Sequence, residues 1–389
     1  RRAGRIACDG GRGASPWPSE RRAGPLTPAA DPPAEPRAGE IAARSALLEE
    51  IDLVARRTDP RVSEVSCSVH EETRSILVAN SLGVRAADHQ LLSGVSATVF
   101  VRAGGRTQRG SSGGGGRERL EAIVAGPQSP EAVASEAVRR AVVLLDAVEA
   151  PTGELPVVVG NGWGGVLLHE AIGHGFEADF VRRGTSVYTG RLGLKVASSL
   201  CTVVDDATVA GRRGSYRIDD EGSAAQRTPL IEKGVLVGYL HDLVSARALG
   251  AGPTGNGRRH SFRTPPIPRQ SNIFLEAGDD SAEEILRSVR RGLYARNLGG
   301  GQVDIVNGNF VFQVTEGYLI EDGRVTAPVL GASLIGVGHE ALSRIARVGS
   351  DFAFDPGVGT CGKDGQSQPV GVGQPTVLVS AMTIGGTRL

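Results

Sequence analysis

Glycine places the first limit on this chain. It has 55 glycines and few aromatic residues, about 4%. Each glycine inside a helix costs about 0.5–1 kcal/mol relative to alanine. The composition therefore favours strands joined by tight turns over a helical bundle. At 389 residues the chain is long enough for two domains, each with its own core. Lys plus Arg and Asp plus Glu are equal at 43 each, so no global field attracts nucleic acid or an anionic membrane surface. Cys8, Cys67, Cys201 and Cys361 lie far apart without a CxxC pair. That pattern argues against a disulfide framework and against a four-cysteine zinc site, and it fits a reducing cytoplasm. No apolar run approaches the roughly 20 residues that span a bilayer, and the N-terminus lacks the order of a signal peptide.

Along the chain, residues 1–40 are crowded with Arg, Pro, Ala, Gly and Ser and lack periodicity, so they read as a disordered or non-native leader. The start at Arg1 rather than Met suggests a fragment or a misplaced reading-frame start. Leu47, Leu48, Ile51 and Val54 recur at helical spacing until Asp59-Pro60 stops the element. Strands are expected over 62–70, 75–80 and 95–101, with turns at Asn80-Ser81-Leu82-Gly83 and Ala103-Gly104-Gly105. The segment 109–116, RGSSGGGG, lacks the Gly-Lys-Ser/Thr of a phosphate loop and is expected to be a flexible loop. Ser129-Pro130-Glu131 opens a helix with a capping serine and proline in its first turn. Pro151-Thr152-Gly153 breaks the chain again, so one domain is expected over 41–150 and another over 151–389. In the second, strands dominate, at 155–159, 200–204, 234–239, 302–304, 309–314, 317–320 and 376–382. A helix is expected where Ser281 and Glu284 form a capping box ahead of Ile285, Leu286, Val289 and Leu293. The fold class is α+β: an N-terminal mixed α/β domain followed by a β-rich, barrel-like domain that carries the site.

The chemistry concentrates in His169-Glu170-Ala171-Ile172-Gly173-His174. Two imidazoles flanking a carboxylate are what a hydrolytic zinc centre needs. On a regular α-helix, residues five apart point about 140° away from each other, so a straight helix would not bring both rings to one metal. A π-type widening, or termination at Gly173 or Gly175, would. Catalytic zinc normally takes three protein ligands. Glu177 and Asp179 are near in sequence, and Cys361 lies in a glycine-rich segment that could approach a buried centre closely; spacing alone leaves the choice open. A competing pattern overlaps: Gly160, Gly162 and Gly165 form GxGxxG with Asp179 about 20 residues on, the dinucleotide fingerprint of an oxidoreductase. No alternating strand-helix series follows it, so it is the weaker reading.

With HEAIGHGFEAD at 169–179 in view, the chain resembles the TldD/PmbA metallopeptidases. TGNGRR at 254–259, GGGQV at 299–303, NFVFQV at 309–314, GASLIG at 331–336 and CGKDGQ at 361–366 resemble family segments in the same order. The resemblance runs from about Ile41 to the C-terminus. It implies a metal on His169, His174 and Cys361, with Glu170 as the catalytic carboxylate. Because the metal motif is complete, it implies the active, TldD-like subunit rather than the partner that lacks the motif. It further implies that the front half of the usual N-terminal domain is missing or replaced by residues 1–40. The chain departs from the family at RHSFR, 259–263, and PRQSN, 268–272. Arg258, Arg259, His260 and Arg269 there are candidate substrate contacts, the guanidiniums for a peptide carboxylate or merely for ion pairs. His70, His89, His241 and His339 read as ordinary imidazoles.

The reading is thus a cytoplasmic zinc metallopeptidase acting on small or unfolded polypeptides. The expected assembly is a heterodimer with a PmbA-like paralogue, or a homodimer, without nucleic acid or membrane. The alternative is a non-catalytic binding or scaffold subunit of such a complex.

Overall fold

The computed structural model describes residues 38–81 and 83–386. The expected leader lies outside the described residues except for 38–40, which begin the first helix.

That helix, α1 (Ala38–Thr58), is followed by three antiparallel strands, β1 (Val62–Ala79), β2 (Arg85–Ala103) and β3 (Arg106–Gly116), and then α2 (Pro130–Val143). The Ser129 hydroxyl accepts from the Ala132 N–H and Pro130 occupies the first turn, as the sequence signals. Ile51, Val54 and Ala55 of α1 and Val133, Ala137 and Ala141 of α2 bury one face against Val95, Ala97, Val99 and Val101 of β2. Every second β2 residue faces the helices, the period a sheet imposes.

Two sequence expectations change here. The strands expected at 62–70 and 75–80 are one continuous β1, paired with β2 from Val62↔Val101 to Ala79↔Arg85. RGSSGGGG is no flexible loop but the body of β3, paired with β2 from Ala103↔Arg106 to Ser93↔Gly116. Its glycines serve close approach. A Cβ on Gly110 would lie 2.1 Å from the Ala137 carbonyl oxygen of α2, and one on Gly115 2.3 Å from Ser93 O. Gly115 N–H donates across to Pro356 O (2.8 Å), joining this sheet to the C-terminal half.

The C-terminal half is built on a closed barrel. Its strands are β4 (Gly153–Val159), β5 (Arg291–Val303), β6 (Asn309–Glu321), β7 (Ser333–Val337) and β8 (Val377–Gly385). The order β5-β4-β8-β7-β6 returns to β5 through the β5–β6 ladder, so the five-stranded ring has no free edge. The expectation of an α+β fold with a barrel-like second half is met. In β6, Phe310 and Phe312 are buried while Val311 between them is exposed, the inside-outside alternation of a barrel wall. Leu168, Ala171 and Ile172 share the barrel's core cluster with both phenylalanines.

Val158 and Leu378 face the other way, against Ile285 and Val289. Ile285 belongs to α3 (Ala282–Arg287), whose capping box between Ser281 and Glu284 is formed in both directions. The helix ends earlier than expected: Val289 lies beyond it, and Leu293 is in β5, paired in parallel with Val157. Barrel closure overrides the helical spacing of those two residues. A second sheet of six strands, in the order Ala353–Phe354, Gly371–Gln374, Asn272–Leu275, Val203–Asp206, Arg227–Glu232 and Val235–Leu236, lies beside the barrel. The strand expected at 200–204 runs over Val203–Asp206, and the one expected at 234–239 is shortened to Val235–Leu236. Among the described residues no helix is long and apolar enough to cross a membrane.

Candidate metal centre

After β4 the chain makes a short helical turn, Val166–Leu168, and passes into a π-helix, His169–Gly173. The His174 N–H donates to the His169 carbonyl, five residues back. This wider turn stacks residues five apart, as an α-helix stacks residues four apart. The two imidazoles become neighbours, with ring centroids 4.9 Å apart. The widening anticipated from the glycines is present, and its surroundings support it. Gln270 Nε2 donates to the same His169 carbonyl (3.2 Å), and a Cβ on Gly173 would lie 2.0 Å from Gln270 Oε1. Gly173→Ala is therefore expected to displace Gln270 and to destabilise the fold by about 1–3 kcal/mol. Chemical denaturation measures this, and a loss below about 0.5 kcal/mol would show that the close fit is dispensable.

Cys361 arrives from a hairpin, Thr360–Lys363 with Gln366–Pro369. Its Sγ lies 3.3 Å from His174 Nε2, and donor atoms of His169, His174 and Cys361 all fall within 4.8 Å of one another. All three residues are buried. Around a tetrahedral zinc, with Zn–S about 2.3 Å and Zn–N about 2.0–2.1 Å, ligand atoms stand about 3.3–3.6 Å apart. The residues therefore fit a thiolate-imidazole metal site. His169 Nδ1 is buried without a protein partner, a cost that a bound ion or water relieves. Burial opposes ionisation of Cys361, but the adjacent His169 and His174 imidazoles and their hydrogen bonds bring its thiol well below the usual range. The thiolate is the form that binds metal.

Glu177 supports this set from beneath. The His174 Nδ1–H donates to Glu177 Oε2 (2.9 Å), so Nε2 is the nitrogen turned toward Cys361. Glu177 is fully buried. Burial would raise its pKa, but Lys363 and His174 outweigh that and hold it at about 2. Lys363 Nζ lies 3.1 Å from Glu177 Oε2 and 2.7 Å from Asp179 Oδ1, and donates to Pro268 O (3.0 Å). Asp179 also meets Arg183 Nη2 at 2.7 Å. Burial dominates at Asp179 and raises its pKa despite the shared lysine. Glu177 and Asp179, weighed from sequence as third ligands, are thus occupied behind the histidine. Lys363 and Gln270 carried no role in the sequence reading. The only signal for them was their place beside Cys361 in CGKDGQ and in PRQSN.

A cleft of 320 Å³ opens on the centre, lined by His169, Glu170, His174 and Cys361 together with Trp163, Gly300 and Gly301. Glu170 is half-buried in its wall, with Oε2 3.8 Å from His174 Nε2. The four candidate substrate contacts are not among its lining residues. Arg258 and Arg269 are buried and spend donors on backbone carbonyls: Arg258 on Gln270 O and Pro369 O, Arg269 on Gln366 O and Cys361 O. Arg259 faces Asp220, and His260 Nδ1 lies 3.1 Å from Ser367 O. Arg258, Arg269 and His260 brace the hairpin that presents Cys361.

The GxGxxG glycines are also taken up by packing. A Cβ on Gly160 would meet Arg296 O at 2.6 Å and one on Gly165 the Gly373 backbone at 2.8 Å. Neither leaves room for a pyrophosphate, and Asp179 is committed to its ion pairs.

Comparison with known proteins identifies the family. Residues 152–386 match the PmbA/TldA metallopeptidase C-terminal domain and residues 31–145 the central domain of the same family. A Metalloprotease TldD homolog from Haemophilus influenzae is 48% identical over 88% of this chain and 72% of its own length. A metalloprotease from Methanocaldococcus jannaschii is 37% identical over 83% of this chain and 70% of its own. Among solved structures, TldE from Thermococcus kodakarensis shares the fold with a TM-score of 0.71 at 21% identity, covering 94% of this chain and 80% of TldE. A proposed modulator of a DNA gyrase from Thermotoga maritima gives 0.76 at 22% identity, covering 95% and 80%. Two family models that together span both halves of the chain, and relatives of this identity and coverage, make one conclusion unavoidable: the chain belongs to the TldD/PmbA family and is a metallopeptidase.

Proposed function

We propose that His169, His174 and Cys361 hold a zinc ion and that Glu170 is the general base of peptide hydrolysis. The observation that carries this reading is the meeting of two imidazoles and one thiol within 4.8 Å, in the wall of a cleft that Glu170 also lines. Zinc bound there would supply Lewis-acid polarisation of the scissile carbonyl and would acidify the attacking water. Glu170 takes the water proton and delivers it to the departing amine nitrogen. Glu177 holds His174 in the tautomer that leaves Nε2 free, and Arg269 holds the Cys361 carbonyl.

The substrates are small or unfolded polypeptides in the cytoplasm. The cleft is too narrow for a folded domain, and Gly300 in its wall has open space where a Cβ would stand, so an extended segment can run close to this strand and pair with it. The chain acts as the catalytic, TldD-like subunit, with a PmbA-like paralogue or a second copy as partner.

Metal analysis of the purified chain tests the reading directly: one zinc per chain is expected. Cys361→Ser is expected to lose that zinc to a chelator concentration that the unaltered protein withstands, because a hydroxyl is a poor replacement for a thiolate. Equal zinc retention by both would remove Cys361 from the ligand set.

A further inference from the structure

A second cavity, of 170 Å³, lies behind the Cys361 hairpin and shares Thr360 with the metal cleft. Its roof is the far end of the N-terminal sheet. Glu72 and Arg74 of β1 stand opposite Leu92 and Gln90 of β2, and all four line the cavity. Arg117, just past β3, Arg213 and His260 also line it, opposite the hairpin residues.

The charges in this wall do not balance. Arg74 is paired with Asp220. Among the described residues, neither Arg117 nor Arg213 has a carboxylate within 4.0 Å, and Glu72, the one carboxylate in the wall, makes no ion pair. Arg213 is anchored through Gly359 O (2.7 Å) and Thr360 Oγ1 (3.3 Å). Arg117 Nε is buried without any partner, as is Gln368 Nε2, which also lines the cavity. Outside close ion pairs, two guanidiniums in this wall face one carboxylate, Glu72, and Arg213 Nη1 also meets His70 Nε2 (3.3 Å). Burial, then the charges of Arg258 and Arg213, push the Arg117 guanidinium down to about 10. An uncompensated buried charge is costly unless an anion completes it. At about 30 Å³ per water, the cavity has room for a few waters or one residue of a peptide.

We propose that this cavity is a subsite for one carboxylate of the substrate, received by Arg117 and Arg213, with the peptide running from it past Thr360 to the metal cleft. The proposal rests on the peptidase reading above. It moves the carboxylate contact from Arg258, Arg259 and Arg269, which do not line this cavity, to two arginines that do and that have no carboxylate within 4.0 Å. The carboxylate is either the peptide's C-terminus or an Asp or Glu side chain.

Binding to the full chain distinguishes these sources and does not depend on cleavage. Three forms of one unstructured pentapeptide are compared by calorimetry: free C-terminus, C-terminal amide, and the amide with one residue changed to Asp. The free-acid form is expected to bind roughly tenfold to a hundredfold more tightly than the amide, as a charge-assisted bidentate contact implies. In Arg117→Gln that gap is expected to close, and in Arg117→Lys to close in part, because the charge remains and the fork does not. Recovery of tight binding by the Asp-containing amide identifies a side-chain carboxylate; tight binding by the free acid alone identifies the terminus. Equal affinity for all three peptides in the unaltered protein would overturn the subsite even if Arg117→Gln failed to fold. So would a gap that Arg117→Gln leaves intact. Selective binding without hydrolysis would instead count against the peptidase mechanism and leave the subsite standing.

Discussion

Glu170→Gln is expected to keep its zinc and to cleave an unfolded peptide about 10²–10⁴-fold more slowly than the unaltered enzyme, the usual worth of a positioned general base. The amide has nearly the shape of the carboxylate and retains hydrogen-bonding capacity, so the half-buried position in the cleft wall is filled as before. It lacks the ability to accept a proton at neutral pH. The three atoms that converge within 4.8 Å belong to His169, His174 and Cys361, so metal content has no reason to fall with Glu170. Zinc content and kcat/KM measured on the same preparation check both halves. Turnover within a fewfold of the unaltered enzyme would remove Glu170 from the mechanism, and loss of zinc would make it a ligand.

Lys363→Met is expected to produce the largest loss of stability. The ammonium is almost fully buried between Glu177 and Asp179, and it lies over the Phe180 ring at 4.3 Å. Replacing it with an apolar side chain of similar length keeps the volume and removes the shared cation, leaving Glu177 with His174 and Asp179 with Arg183. Arg269 Nε stands 4.0 Å from Glu177 Oε1, too far to take over as a close partner. Breaking one side of a buried pair costs about 3–5 kcal/mol, and denaturant unfolding should show a loss of that order. The damage should extend to the metal. Lys363 is two residues beyond Cys361 in the same strand, and Glu177 orients His174, so zinc affinity should fall about 10–100-fold, as for other groups that orient ligands. A change below about 1 kcal/mol with normal zinc affinity would show that the carboxylates find other partners.

Some of this architecture was legible in the residues themselves. Ser129 with Pro130, and Ser281 with Glu284, specify helix starts because the bonds that cap a helix lie within three residues of one another. Residues 309–314 read as a strand because their aromatic and β-branched side chains suit a pleated surface. HEAIGHG declares both its chemistry and its need for a widened turn, since the mismatch between five residues and 3.6 per turn can be calculated without coordinates.

Other features became decidable only when the chain closed on itself. RGSSGGGG looks mobile in isolation, yet it is a paired strand because α2 and β2 press on backbone that no side chain could share. Val289 and Leu293 continue a helical spacing, but the parallel ladder to β4 takes Leu293 into the barrel. Cys361 is 187 residues from His174, and no local pattern could choose it over Glu177 or Asp179. The tertiary fold brings the hairpin to the π-turn, where Lys363 Nζ pairs with both carboxylates. Local hydrogen bonds and periodicity are written within a few residues, whereas the place of Cys361 beside the two histidines, the buried charges behind it and the unpartnered Arg117 Nε follow from which distant segments share one desolvated space.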